Sequence, residues 1–449
     1  MMTPAVKLKN NTGHTDRTFW GTYLVLLCIC GIFFTRIGVT DSGQVLVSLF
    51  VTAVGTMGVL AWLTANEKDR AAAFILCSGY FVRVAYRCAV ESGLVESAPA
   101  DARHFWEASS NLYHGIPNSI VLTKYPYLLR WFYEVFGSNR YVAEYVNILF
   151  WGLSSIILVK LGRHAGLSGK RKYILYGIWV VLPASILFGT DLLRESIMVF
   201  FDMWSFYMFL GWMKNGSKFR CVMAFLLAAL AAYLHTASIA LWAAYIVTAA
   251  FWDGRKRKFR FMKRTMLLLS AGILGAGLIL FSPLNGIFGG YIGGDLSIYG
   301  ITHRPYEIGG SDYLQWMDCQ SVLQFIPYTL LRMFYFLFSP LPWEARGIVD
   351  LFSFALDGLL VLVLLAYMVK QMKNRQKKPY LIATMVCVFA FAGIYAWGTR
   401  NAGTAIRHRM LVWGILIMGS CIAAGKHEEK EINQVKMCEQ HIEYKERQQ

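Results

Sequence analysis

The chain has 449 residues, of which 56% are hydrophobic and 16% charged, and a net charge of +17. That balance excludes an ordinary soluble globular protein. The basic residues gather in short loops and at helix ends, so they suit anionic lipid headgroups rather than nucleic acid. Of the nine cysteines, Cys28, Cys30, Cys77, Cys88, Cys221, Cys387 and Cys421 lie in apolar runs and Cys319 in a loop. They read as small buried apolar residues, with neither a disulfide framework nor metal-ligand spacing.

The amino-terminal residues Met1 to Lys7 lack a short apolar core with a cleavage site, so the first apolar run is expected to stay as a helix. A helix needs roughly 20 apolar residues to cross hydrocarbon, and on that basis about twelve spans are expected. They fall at 19–37, 44–65, 71–92, 141–161, 173–189, 193–213, 219–235, 236–252, 265–282, 347–369, 380–398 and 410–425. The loops between them alternate in charge. Lys68 and Arg70 lie on one side, as do Arg163, Lys170, Arg171 and Lys172, then Lys214, Lys218 and Arg220. The runs Arg255 to Arg260 and Lys370 to Lys378 fall on that same side. Short basic loops stay in the cytoplasm. The expectation is an all-α, polytopic integral membrane protein with both termini inside. One transmembrane domain covers residues 1–425, and 426–449 form a charged tail.

Two outer segments are too long to be simple connections. Residues 93–140 contain an amphipathic stretch ending at Tyr113 and an aromatic one from Tyr125 to Phe136, carrying Arg130 and Glu134. This pattern suits helices lying in the interface. Residues 283–346 are glycine-rich from Gly286 to Gly310 and strongly apolar from Val322 to Phe338. If 322–338 crossed the membrane, the basic loop 370–378 would move outside, so a re-entrant or interfacial helix is expected there.

Charged groups inside hydrocarbon are costly and mark partners or cavities. Arg83 and Arg87 lie four apart on one helix face. At about 100° per residue, Asp191, Glu195 and Asp202 fall within about 40° of one another, a polar stripe shared with Arg194. Asp350 and Asp357 repeat such a stripe. Further outer arginines are Arg130, Arg332, Arg346, Arg400, Arg407 and Arg409. Some could merely snorkel or pair between helices. As a set they run against the inward bias of positive charge, and a guanidinium fork matches phosphate oxygens. Asp101 follows the third span, where a carboxylate could act as a general base or simply cap a helix. His235 ends a short apolar run and suits hydrogen bonding at a helix end.

Three places resemble the GT-C superfamily of membrane glycosyltransferases, which includes protein O-mannosyltransferases and aminoarabinose transferases. The first is the acidic residue in Asp101-Ala102-Arg103-His104-Phe105-Trp106. The second runs through Lys124-Tyr125-Pro126-Tyr127-Leu128-Leu129, Phe136-Gly137 and Tyr145-Val146-Asn147. The third is Leu182-Pro183 followed by Thr190-Asp191-Leu192-Leu193-Arg194-Glu195. The resemblance covers roughly residues 70–210. Tyr127 departs from it by replacing a second proline, and the loop holds a single Asp rather than an Asp-Glu pair. It implies that Asp101 is the catalytic carboxylate and that Arg194 and Glu195 belong to the active-site helix mouth. A second resemblance, to exopolysaccharide and O-antigen polymerases, rests on Leu193-Arg194-Glu195-Ser196, His235-Thr236-Ala237-Ser238 and the segment Asn401 to Arg409.

The expected function is transfer of a sugar from a polyprenyl-phosphate or pyrophosphate carrier on the outer face of a bacterial cytoplasmic membrane, in cell-surface polysaccharide or glycoconjugate assembly. The expected partners are that donor, a glycan or lipid acceptor and the bilayer, with no nucleic acid. Asp101, Glu195 and Arg194 are the catalytic candidates. Arg83, Arg87, Asp191, His235, Arg332, Arg346, Arg400, Arg407 and Arg409 are the substrate-binding candidates. A divalent metal could sit near Asp101 and Glu195, though nothing in the sequence requires one. The alternatives are a polymerase moving whole glycan blocks and, in a different class, a lipid-glycan flippase or transporter using Asp202 and Asp357 as a proton pathway.

Overall fold

The structure, a computed structural model, describes residues 42–96, 100–116, 123–280, 310–317 and 319–426. The span expected at 19–37, most of the glycine-rich segment and nearly all of the carboxy-terminal tail lie outside these residues. Seven of the described helices are long and apolar enough to cross a membrane. They are α1 (Ser42–Asn66), α2 (Arg70–Glu91), α5 (Arg140–His164), α8 (Glu195–Asn215), the helix 348–371, α15 (Lys378–Gly398) and α16 (Ala402–Ala424). The chain is a helical, multi-pass membrane protein.

Polar residues set where these helices begin. Asp69 caps α2 by accepting from the Ala71 and Ala72 N–H groups at 3.2 and 3.3 Å, and Asn139 caps α5 by accepting from Val142 N at 3.2 Å. Asn401 caps α16 by accepting from Thr404 N at 2.7 Å. Each satisfies donors that the first helical turn leaves without a partner.

Several remaining expected spans are shorter. The one at 173–189 is broken by Pro183 into α6 (Gly169–Val181) and α7 (Pro183–Leu187), and residues 189–194 form no helix. The runs at 219–235 and 236–252 are α9 (Lys218–Leu234) and α10 (Ile239–Phe251), separated by a 3-10 turn at Thr236–Ser238. A two-residue β pair, Trp252–Asp253 with Lys258–Phe259, closes the basic loop before α11 (Lys263–Leu280). Asp191 therefore precedes the helix that carries Glu195 and Asp202, and the single acidic stripe read from helical geometry does not form.

The first long loop folds as two helices packed together, α3 (Ala100–Tyr113) and α4 (Tyr125–Phe136). Asp101 lies inside the first turn of α3, not at its cap. In α4 Tyr125, Pro126, Leu129 and Tyr133 are buried, while Trp131 and Val135 are exposed. The exposed pair Arg130–Glu134 closes at 3.2 Å on its outer side.

The helix α12 (Val322–Phe338) enters and leaves at one end of the bundle. Before it, Tyr313 N donates to Arg400 O at 2.9 Å and Ala402 N donates to Ser311 O at 3.0 Å. After it, Arg346 Nη1 donates to Gly310 O at 2.6 Å. At its far end Phe338 packs against Gly358, where a Cβ would strike the Phe338 carbonyl. Gly358 ends a π turn (Phe354–Gly358) that joins α13 (Ile348–Ser353) to α14 (Leu359–Gln371). The chain thus turns back on itself around α12, with both flanks at one end of the bundle.

In hydrocarbon every polar group must find a partner within the protein. Tyr145 on α5 shows how this joins helices: its hydroxyl meets Thr56 Oγ1 at 2.6 Å, Tyr80 OH at 2.8 Å and Thr52 O at 2.9 Å. Close approach uses small residues, as at Gly152, which faces Val59 and Tyr80.

Candidate active site at the Asp101 end of the bundle

The buried, non-helical segment 189–194 is the scaffold. Irregular backbone at membrane depth persists only where protein or a cavity surrounds it. Here its carbonyls are satisfied by side chains. Asn147 Nδ2 donates to Asp191 O at 2.5 Å and to Leu193 O at 2.8 Å, Tyr125 OH donates to Leu193 O at 3.3 Å, and Ser196 Oγ donates to Gly189 O at 2.8 Å. Burial pushes the Tyr125 phenol well up from its ordinary range, so it stays a neutral donor. These bonds place Arg194 and Glu195 at the mouth of α8.

Arg407, in the second turn of α16, joins two of the three catalytic candidates. Its Nη1 pairs with Asp101, and its Nε lies 3.0 Å from Glu195 Oε1. Asp101 is 52% exposed and Glu195 only 2%, so the guanidinium links a solvent-facing carboxylate to a buried one. Glu195 Oε2 is buried and accepts no hydrogen bond within the described chain. Arg194 lies 5.6 Å over the Phe105 ring and donates to Leu234 O at 3.3 Å.

Beneath them is a ring cluster. His408 lies 4.6 Å from Tyr395 and 5.6 Å from His235, and Tyr395 stacks on Phe336 at 5.2 Å. Arg407 Nη2 lies 3.2 Å from His408 Nε2. A guanidinium can only donate, so Nε2 is the acceptor. His235 Nδ1 accepts from Ala237 N at 3.1 Å and caps the 3-10 turn. Asp202 lies two turns below Glu195 on α8 and is buried, accepting from Ser238 Oγ at 3.0 Å.

The structure thus brings together Asp101, Glu195, Arg194, His235 and Arg407. The other candidates lie elsewhere. Arg87 sits in a separate charged knot, paired with Glu91, with Glu144 at 2.7 Å and with Asp191 at 3.5 Å, where Arg140 also holds Glu144 at 2.7 Å. Arg83 is fully buried, stacks 3.8 Å from Trp151 and donates to Gly79 O, Val180 O and Ser185 Oγ. Arg409 pairs with Asp357 at 3.1 Å and donates to the carbonyls of Phe336 and Ser339, which pins the tip of the hairpin. Arg332 is buried 4.6 Å over Trp397. Arg346 is exposed and pairs with Asp350 at 3.3 Å, while the Arg400 carbonyl receives Tyr313 N.

His408, Tyr395 and Phe105 were not singled out by the sequence. His408 stands between two candidate arginines, but an isolated ring in an apolar helix gives no spacing signal. Arg140 and Glu144 announce themselves only as an i,i+4 pair. Among the described residues no group of three or more His, Cys, Asp or Glu side chains could hold a metal ion. No family model matches the chain, and no curated protein or solved structure is similar to it.

Proposed function

We propose that the protein is a membrane glycosyltransferase that takes a sugar from a polyprenyl-phosphate carrier at the Asp101 end of the bundle, in cell-surface polysaccharide or glycoconjugate assembly. The observation that carries this reading is the bridge from Asp101 through Arg407 to Glu195. It sets a solvent-facing carboxylate beside a guanidinium anchored from below, with a second guanidinium, Arg194, held by the same helix mouth.

Transfer needs a base for the acceptor hydroxyl and positive charge for the departing phosphate. The acceptor oxygen attacks the anomeric carbon, a new C–O bond forms, and the bond from that carbon to the carrier phosphate oxygen breaks. Asp101 takes the hydroxyl proton, and the carrier leaves as a phosphate. An incoming phosphate competes with Asp101 for Arg407, so donor binding frees the base where it is needed. Glu195 keeps Arg407 in position throughout.

The test is incubation of purified protein with undecaprenyl-linked sugars and mass analysis of the products. Asp101→Asn is expected to lower transfer by about 10²- to 10⁴-fold while donor binding persists. Unchanged transfer would falsify the role given to Asp101. A polymerase moving whole glycan blocks would use the same residues, and products lengthened by several sugars at once would identify it. A third reading, proton-coupled transport, would use the buried Asp202 below the site. Movement of lipid-linked glycan across liposomes that Asp202→Asn abolishes would support transport over transfer.

A further inference from the structure

Three helices that begin at the Asp101 end finish together at the other: α5 at His164, α8 at Asn215 and α16 at Ala424. There they enclose a cavity of about 390 Å³, within the range of small-ligand sites. Its polar wall carries His164, Arg171, Lys214, Arg220, Lys377 and Lys426, and no carboxylate among the described residues lines it. Leu161, Leu210 and Ile422 form an apolar side.

Two of the cations have a structural task. Lys377 Nζ donates to Ala423 O at 3.0 Å and Gly425 O at 2.6 Å, and Arg171 Nη1 donates to Ala424 O at 3.3 Å, which neutralises the carbonyl end of α16. His164 Nδ1 lies 2.7 Å from Lys160 O, which leaves Lys214, Arg220 and Lys426 as the remaining lysine and arginine side chains of the wall. Arg220 is laid against α8 at Gly211, where a Cβ would meet its guanidinium. A positive, concave wall with one apolar side is the chemistry of a phosphate carried on an amphiphile.

We infer that this cavity binds a phosphate-bearing anion, supplied either by the headgroup of an anionic phospholipid or by a soluble phosphate compound. It is separate from the Asp101 cluster and stands whether or not that cluster transfers sugar. The test uses the full-length chain in detergent, titrated with phosphatidylglycerol, phosphatidylcholine or inorganic phosphate. Retained lipid is counted by native mass spectrometry and thermal unfolding is followed in parallel. One phosphatidylglycerol is expected to bind in preference to phosphatidylcholine, and the double variant Lys214→Gln/Arg220→Gln is expected to hold it at least about tenfold more weakly. Stabilisation by inorganic phosphate that the same double variant removes identifies the soluble source instead. The control Lys256→Gln/Lys258→Gln removes equal charge from a basic loop that does not line the cavity. Equal loss in that control, or wild-type binding in the Lys214/Arg220 variant, overturns the assignment. Transfer activity of the variants is measured separately, so failure here is distinct from failure of the enzymatic reading.

Discussion

Arg407 Nε lies 3.0 Å from Glu195 Oε1, and the same guanidinium holds Asp101 on its other side. One cation therefore compensates a carboxylate that is almost fully buried and orients one that faces solvent. Removing the cation has two separable consequences.

Arg407→Gln leaves Glu195 buried beside a group that cannot balance its charge. Breaking a buried pair in this way costs about 3–5 kcal/mol. Thermal unfolding in detergent should show that loss. The double variant Arg407→Gln/Glu195→Gln should recover much of it while donor binding stays weak. Arg407→Lys keeps the charge but loses the fork, so stability should fall less than donor affinity. If the lysine variant binds donor as the wild type does, the guanidinium is a structural tie alone.

The knot around Arg87 should behave differently. Glu144 is fully buried and shares Arg87 with Asp191 and Glu91. Arg87→Gln is expected to destabilise by about 3–5 kcal/mol. Whatever protein remains folded should show an unchanged donor affinity, measured by lipid-linked sugar binding at low temperature. A selective loss of affinity would move Arg87 into the site.

Gly358 meets the Phe338 backbone at the tip of the hairpin formed by α12. A methyl group there cannot be accommodated by turning a side chain, because its neighbour is a carbonyl. Gly358→Ala should lower stability by about 1–3 kcal/mol through overpacking. It should also loosen the hairpin, read as faster proteolysis between Gly310 and Arg346. Protection equal to wild type would show that the contact relaxes freely.

The orientation expected from loop charge has its own test. With the native cysteines replaced, Lys256→Cys and Arg375→Cys should react with an impermeant maleimide only after the cytoplasmic side is opened. Glu107→Cys on α3 should react in intact cells. Labelling of Glu107→Cys from the cytoplasmic side alone would reverse the topology and place the candidate site on the inner face.

Much of the architecture is legible along the chain because its determinants are local. Apolar runs such as 44–65 and 380–398 are long enough to cross hydrocarbon on their own, and they fold as α1 and α15 within one or two residues of the expected ends. Charge leads to the expectation that 322–338 does not cross the membrane, and the structure shows that both flanks of α12 meet at one end of the bundle. The break at Pro183 and the irregular segment after it were harder to read. The run 173–189 is apolar throughout, and only packing under Asn147 and Tyr125 supports an unwound backbone there.

The sequence by itself determined which residues would be costly in a membrane. Arg83, Arg87, Arg332, Arg407 and Arg409 all carry that cost, since each guanidinium must find partners away from water. Only the tertiary structure decided who those partners are. Arg83 meets backbone carbonyls, Arg87 three carboxylates, Arg409 a hairpin tip, and Arg407 both buried Glu195 and solvent-facing Asp101. The physical reason is range: hydrophobic length and charge sign act within one helix, whereas a hydrogen bond needs atoms about 3 Å apart. That separation is fixed by how helices distant in sequence pack.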